Sequence, residues 1–462
     1  MKQYDAIVIG AGQAGGPLAK KLALAGKKTA LIEKRWIGGT CVNDGCTPTK
    51  SWVASAKMAY MAGNSSALGV KIKSYSVDMP KIKKRKDEIV KQFRDGSRKG
   101  LDATKGLDVI FGDATFTGDK TISVKLNEGG KTKELKASLF FINTGAKTFI
   151  SEIEGLRDID YLTSTTILDL DHVPEHLLII GGNYIGLEFG QMFRRFGSMV
   201  TILEKSGRIV SREDEDVSEE LSKIFKDEHI AIRTNTTVLK LKKKPGDKIT
   251  ATVLTDGLEK KIKCSHILIA VGRIPQTSGL NLAKTGVETD ERGAIKVNDE
   301  LETNIPGIYA LGDVKGGPAF THISYNDYAI VYRNLIKNEK LTIKNRPVPY
   351  CMFTDPQLGS IGLNETEAKK RKLNYKVAKL PMAYVARAIE TGDTRGFMKA
   401  IVDADTKQIL GATILGAEGG ETMTILQMAM MGGITWEQVR WFVFAHPLYA
   451  ESLNNLFMAL EP

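Results

Sequence analysis

Cysteine is scarce in this chain, with four in 462 residues, and that excludes a scaffold built from disulfides and suits a reducing, cytoplasmic setting. No run of about 18 apolar residues occurs, so no membrane-spanning helix is expected. No charged leader precedes an apolar core either, and the apolar opening YDAIVIGAG reads as a strand. Aromatic residues make up only 7%. Only one, Phe93, lies within the lysine-rich stretches 81–100 and 240–248, and no nucleic-acid motif accompanies it, so the formal charge of +11 reads as solvated faces and not as a nucleic-acid surface. Such a charge steers anionic ligands at most. What the chain does have is length: 462 residues exceed a single core and imply roughly two to four domains. Its 42% apolar and 26% charged content is that of a globular protein.

The organising stretch is GGTCVNDGCTPTK, Gly38 to Lys50, with Cys41 and Cys46 separated by four residues. On a regular helix that offset puts the Cα atoms about 7 to 8 Å apart along the axis, whereas a disulfide spans roughly 4.4 to 6.8 Å. A bridge therefore needs a distorted helix start, which Gly38, Gly39 and Gly45 permit, and a strained bridge is easily reduced. The pair is expected to open and close. The bland alternatives are two inert thiols or half a metal site, but zinc spacing calls for a second ligand pair nearby and none follows. No metal is expected.

Two copies of one nucleotide-binding unit flank this reading. The strand ending at Ile9 runs into GAGQAG, with Gly10, Gly12 and Gly15 in G-x-G-x-x-G spacing, then a helix to Gly26 and a strand closing at Glu33. The first glycine makes the turn, the second lets backbone approach a pyrophosphate and the third packs helix on strand. The helix N-terminus then holds phosphate, and the acid accepts from a ribose hydroxyl. HLLIIGGNYIGLEFGQMFRRFGSMVTILE repeats the pattern with Gly181, Gly186, Gly197 and Glu204. First glycine to helix-ending glycine is 16 residues in both (10 to 26, 181 to 197), and to the acid 23 in both (10 to 33, 181 to 204). Asn183 occupies the middle-glycine position, where a side chain crowds the pyrophosphate. Glu204 favours NADH, while Lys205 and Arg208 keep NADPH open. Two nucleotide sites beside a redox-type cysteine pair point to hydride transfer between dinucleotides and on to sulfur.

Further along, LFFINTGA, ILIAVGRIP and GIYALGDV are apolar strands ending in glycine, with Asp313 at a turn. From about Asn345 short strands and two helical stretches make a compact α+β tail ending FAHPLYAESLNNLF. Cys264 and Cys351 lie in apolar strands and read as small core residues.

Taken together, GGTCVNDGCTPTK, the two nucleotide units, ALGDV and FAHPLYAE resemble the pyridine nucleotide-disulfide oxidoreductases over nearly the whole chain. Within that family the chain is most similar to the branch of dihydrolipoamide dehydrogenase, mercuric reductase and hypothiocyanous acid reductase, and FTHISYNDYAIV and RAIETGDTRGFMKAIVD are similar to the last two groups in particular. The resemblance implies an α/β fold: an FAD domain from 1–147 and 275–344, an NAD(P) domain at 148–274 and a dimerisation domain at 345–462. It implies FAD held by Gly10, Gly12, Gly15, Glu33, Gly39, Thr40, Lys50, Gly145, Asp313, Thr321 and His322. The pyridine nucleotide would be held by Gly181, Asn183, Tyr184, Ile185, Gly186, Glu204 and Gly272. Cys46 would lie nearer the flavin, Cys41 would meet substrate, Lys50 would pair with Glu188, and Tyr184 would cover the flavin until nicotinamide displaces it. His446 and Glu451 would form an acid/base pair acting across a homodimer interface.

Several residues depart from that pattern. Phe444 stands where the lipoamide enzymes carry histidine, and Asp44 sits between the thiols, where a carboxylate should disfavour a thiolate. The reading is an FAD-dependent NAD(P)H:disulfide oxidoreductase acting on a small disulfide or sulfur oxidant. A mercuric-type metal-ion reductase stays open because of the spacing around Arg387, Thr394 and Arg395, although the chain ends FMALEP without a vicinal cysteine pair. A low-turnover flavin redox sensor also stays open.

Overall fold

Strands that read as unbroken apolar runs are those buried on both faces. Thr29–Glu33 is buried at all five positions, and His176–Ile180 at its last four, as parallel strands between helical layers require. The computed structural model describes residues 1–244, 246 and 248–461. Pro245 and Asp247 of the second lysine-rich stretch, and Pro462, lie outside the described residues.

The chain divides into two compact units. The first comprises Met1–Ser51, Lys83–Phe149 and Gly272–Arg346. Its central strand Lys2–Ile9 lies parallel to both Thr29–Glu33 and Thr132–Ile142, and Ile308–Ala310 adds to the latter, also parallel. Thr121–Leu126 runs antiparallel between Leu107–Gly118 and Thr132–Ile142. Successive side chains of a strand face opposite ways. Ile7 and Ile9 accordingly join a cluster with Phe116 and Phe140, while Ala6 and Val8 join one with Leu18, Leu22 and Val331. The lysine-rich stretch 81–100 falls in the helix Met79–Asp102, where Lys83–Asp87 at 2.7 Å and Arg98–Asp102 at 2.6 Å pair one turn apart. It is a solvated helix face, as its composition suggests.

The second unit comprises Trp52–Ile82, Ile150–Val271 and the chain from Pro347. It holds a parallel sheet in the order His266–Ile269, His176–Ile180, Met199–Leu203, Ala231–Arg233. It also holds a five-stranded antiparallel sheet formed by Tyr350–Met352, Gln357–Gly362, Ile409–Gly416, Phe397–Asp403 and Tyr375–Pro381. Helices Gly419–Met431, Trp436–Arg440 and Ser452–Met458 close over a core that includes Met423, Leu426, Trp436, Leu453 and Phe457. The fold is thus α/β, with one dinucleotide-type parallel sheet in each unit and an α+β C-terminal part. Among the described residues no helix is long and apolar enough to cross a membrane.

Candidate active site

The two nucleotide motifs have matching geometry. Gly15 opens the helix Gly15–Leu24 against the turn at Gly10, where an added Cβ would lie 1.9 Å from Gly10 O; at Gly186 it would lie 2.0 Å from Gly181 O. Each acid then closes onto its own glycine loop. Glu33 accepts from Ala11 N at 2.8 Å and Arg35 N at 2.7 Å, and Glu204 accepts from Gly182 N at 2.7 Å and Ser206 N at 2.8 Å. Asn183 is the extended residue before the helix Tyr184–Phe196; it is exposed and makes no side-chain cap. Tyr184 is also exposed, and Ile185 packs on the core. Gly145 and Gly272 each precede a strand of the antiparallel pair Ala146–Thr148 and Arg273–Pro275.

The dithiol segment is clipped to the first glycine loop. Gly38 N donates to Ala11 O at 2.9 Å and Gln13 Nε2 donates to Gly38 O at 3.1 Å. Gly39, at φ +62°, comes so close that a Cβ would lie 2.7 Å from Gly12 Cα. Thr40 and Cys41 lie on the short helix Gly39–Asn43, and Cys46 begins the helix Cys46–Asn64. The chain breaks at Asp44 and Gly45 between them, so the two thiols do not share one regular helix. That is the distortion their spacing called for. All four cysteines are free thiols in this structure.

The thiols of the pair are not equivalent. The hydrogen bond to Cys46 pushes the Cys41 thiol far up; burial and the Cys46 charge add to this, and the Thr321 hydroxyl and Lys50 ammonium pull the other way. Cys46 Sγ lies 3.3 Å from Thr321 Oγ1 and starts a 19-residue helix, whose N-terminal dipole favours a thiolate. The Cys41 thiol is therefore harder to ionise than an ordinary one. Asp44, between the thiols, pairs through its carboxylate with Arg35 NH1 at 3.1 Å.

Asp313 sits in the turn Gly312–Lys315. Burial pushes its carboxyl up against the pull of Arg273 and Lys315, and no described residue donates a hydrogen bond to it. A buried acceptor of this kind, a glycine cradle and Glu33 fit a dinucleotide rich in hydroxyls. The turn is anchored from below by Asp327, fully buried, which accepts from Gly312 N at 2.8 Å and Arg346 NH1 at 2.6 Å. Sequence reasoning missed Asp327, because mid-helix aspartates are ordinarily solvated and its partners are distant in sequence. Next to Thr321, His322 is exposed and stacks on Phe320 with ring centroids 5.4 Å apart.

In the second unit one helix face meets one loop. Along Tyr184–Phe196, Glu188 Oε1 accepts from Phe353 N at 2.8 Å, and Gln191 both accepts from Asp355 N and donates to Asp355 O at 2.8 Å. Arg195 donates to Asp355 Oδ2 at 2.7 Å and to Glu228 Oε1 at 2.7 Å. Of these only Glu188 was singled out in the sequence. Arg395, grouped there with a metal-reductase-like spacing, instead binds Asp393 and Glu228 and lies over the Tyr60 ring, while Arg387 pairs with Glu390 at 3.2 Å. His446 Nδ1 faces both Glu451 oxygens, at 3.1 and 2.9 Å, and its ring is exposed in the single chain. Phe444 packs on the C-terminal core. Cys264 is a core residue whose thiol burial pushes up to about 12, and Cys351 is half-buried with Sγ toward Gln357.

The sequence matches the family described as pyridine nucleotide-disulphide oxidoreductase over residues 4–327, and that family's dimerisation domain over residues 348–457. It is 37% identical to the probable pyridine nucleotide-disulfide oxidoreductase RclA of Escherichia coli (strain K12), over 100% of both chains. It is 35% identical to a mercuric reductase of Streptomyces lividans, over 94% of this chain and 92% of that one. The solved structure described as the Cu(II) complex of HOCl-induced flavoprotein disulfide reductase RclA from Escherichia coli superposes with a TM-score of 0.91 at 36% identity, covering 100% of both. The chain therefore belongs to the pyridine nucleotide-disulphide oxidoreductases, as a homodimeric, FAD-dependent enzyme that moves electrons between a pyridine nucleotide and sulfur.

Proposed function

We propose that this enzyme takes electrons from NADH and delivers them through Cys41 and Cys46 to a small disulfide or an oxidant of sulfur, in the cytoplasm. The observation that carries the reading is the unequal dithiol: Cys46 beside Thr321 at a helix start, Cys41 harder to ionise than an ordinary thiol. Bound FAD supplies a two-electron carrier between the nicotinamide and the cysteine pair. Gly10, Gly12, Gly15, Glu33 and Asp313 hold it, with residues 1–147 and 275–344 as its domain, 148–274 as the NAD(P) domain and 345–462 as the dimerisation domain. Cys41 is the thiol that attacks the acceptor. Its proton has to leave first, and His446, oriented by Glu451, takes it and returns it to the departing sulfur across the dimer interface. NADH is favoured because Glu204 occupies the position that meets a ribose hydroxyl. Arg208 is already committed to the carbonyls of Ser211, at 3.2 Å, and Glu213, at 3.1 Å. A sulfur oxidant is favoured by the E. coli relative, described as an HOCl-induced flavoprotein disulfide reductase. Four cysteines in the whole chain support the compartment.

Steady-state oxidation of NADH and NADPH against lipoamide, glutathione disulfide, coenzyme A disulfide, hypothiocyanite, mercuric and cupric ions tests this. Turnover with a sulfur acceptor, abolished in Cys41→Ser and Cys46→Ser, is expected, together with a long-wavelength absorbance band on anaerobic NADH titration that Cys46→Ser lacks. Undiminished turnover in Cys46→Ser overturns the reading. Turnover driven by mercuric ion alone replaces it with a metal-ion reductase.

A further inference from the structure

One stretch that the sequence sets apart, RAIETGDTRGFMKAIVD, has no part in the chemistry derived so far. Its opening RAIET lies in the helix Ala386–Thr391, which Gly392 ends at φ +74°. Ala388 on that helix is fully buried in the C-terminal core, and a few residues on Arg395 donates to Asp393 at 2.7 Å and to Glu228 at 3.1 Å. Thr391 is thus a fixed point. Its hydroxyl donates to Arg387 O at 2.9 Å, within its own helix, and lies 2.9 Å from the hydroxyl of Tyr449, 58 positions away.

Tyr449 stands between His446 and Glu451 in the chain. Its ring packs on the C-terminal core, as does that of Phe444 on the other side of His446. The backbone leading in is held as well: Asn454 Nδ2 donates to Val439 O and Arg440 O at 2.9 Å and to Phe442 O at 3.2 Å. Leading out, Ser452 N donates to Tyr449 O at 3.2 Å and Asn454 N to Glu451 O at 3.0 Å. Between these anchors the imidazole is 69% exposed, with the Glu451 carboxylate 2.9 Å from Nδ1. Solvent gives such a ring no packing, so its direction is only as steady as the loop beneath it.

We propose that, given His446 as the base that takes the Cys41 proton, Tyr449 is its positioning residue, holding the loop from His446 to Glu451 to the helix Ala386–Thr391 through the Thr391 hydroxyl. Proton transfer needs heavy atoms within about 2.6 to 3.2 Å of each other, and a misplacement of about 1 Å can cost up to 10² in rate. A tether 2.9 Å long between two hydroxyls on packed elements limits that drift.

The test follows alkylation of Cys41 by iodoacetamide in the reduced, FAD-loaded enzyme, read by peptide mass, because that reaction needs the Cys41 proton to leave and requires no particular acceptor. His446→Gln is expected to slow it. Tyr449→Phe and Thr391→Val each slow it about three- to tenfold, the worth of one neutral hydrogen bond. The double variant is no slower than either alone, and neither change adds to His446→Gln. Thr391→Ser, which keeps the hydroxyl, reacts at the wild-type rate, and flavin reduction by NADH is unchanged in Tyr449→Phe and Thr391→Val. A wild-type rate in Tyr449→Phe beside a slow His446→Gln overturns the positioning role alone. So does a further drop when Tyr449→Phe is added to His446→Gln, since Tyr449 then acts without the imidazole. A wild-type rate in His446→Gln overturns the acid/base reading itself, and this role with it.

Discussion

At the scale of single residues, the chemistry rests on how a charge is shared between two sulfurs five positions apart. Thr321 lies 3.3 Å from Cys46 Sγ, and one hydrogen bond to an ionised group is worth about 1.5 to 3 kcal/mol, or roughly one to two pH units. In Thr321→Val, alkylation of the NADH-reduced enzyme by iodoacetamide is expected to need a pH about one unit higher; an unchanged pH profile removes Thr321 from the dithiol's control. Glu213 offers a separate titration. Burial pushes its carboxyl up although the Tyr350 hydroxyl opposes this. A raised folded-state pKa means that the folded state bears an extra cost once the group ionises, so that cost grows as pH climbs from about 4.5 through the folded value. Glu213→Gln should therefore raise the unfolding temperature relative to wild type near pH 8, and the gain should vanish at about pH 4.

At the scale of elements, the helix Tyr184–Phe196 is held by its inner face. Gln191 satisfies both the N–H and the carbonyl of Asp355, and Arg195 meets two buried carboxylates, those of Asp355 and Glu228. Burial alone would raise the Asp355 carboxyl; Arg195, with Lys57 and Arg395, holds it below the usual range instead. Gln191→Leu leaves buried backbone groups unpaired, at about 1 to 3 kcal/mol each, and Arg195→Met leaves two buried charges poorly matched, at about 3 to 5 kcal/mol. Denaturant unfolding should rank Arg195→Met as the more damaging of the two. Gly39 is the second critical junction. With φ +62° and a Cβ 2.7 Å from Gly12 Cα, Gly39→Ala must push the dithiol segment off the nucleotide loop, and purified protein should carry measurably less than one FAD per chain.

At the scale of the whole molecule, the region matched by the dimerisation domain carries several exposed apolar side chains. Trp441 is 72% exposed and Val443 101% in the single chain, and Met428 and Met431 are 64% and 65% exposed. Exposed apolar groups of this size in a dimerisation domain are candidates for burial against a second subunit. Trp441→Glu with Val443→Asp is expected to yield monomers by sedimentation. Turnover should then fall by about 10² or more, the usual worth of a lost acid/base group, since the proposed mechanism has His446 act across that interface. Flavin reduction by NADH in a single turnover should survive, and a monomer retaining full turnover would remove His446 from that role.

Local grammar was legible in the residues themselves. Glycines at fixed spacing, an acid at the end of the next strand and thiols set too far apart for one helix are short-range facts, and backbone sterics turn them into loops, turns and a helix break without reference to the rest of the chain. The match of Gly10, Gly15 and Glu33 with Gly181, Gly186 and Glu204 survived into coordinates for that reason. Folding alone decided which distant groups would meet. Asp327 beneath the Asp313 turn, Gln191 and Arg195 on the Asp355 loop, and Arg35 paired with Asp44 all join positions whose pairing follows from how strands and helices stack. A polar side chain carries no local mark of the partner that burial will require it to find.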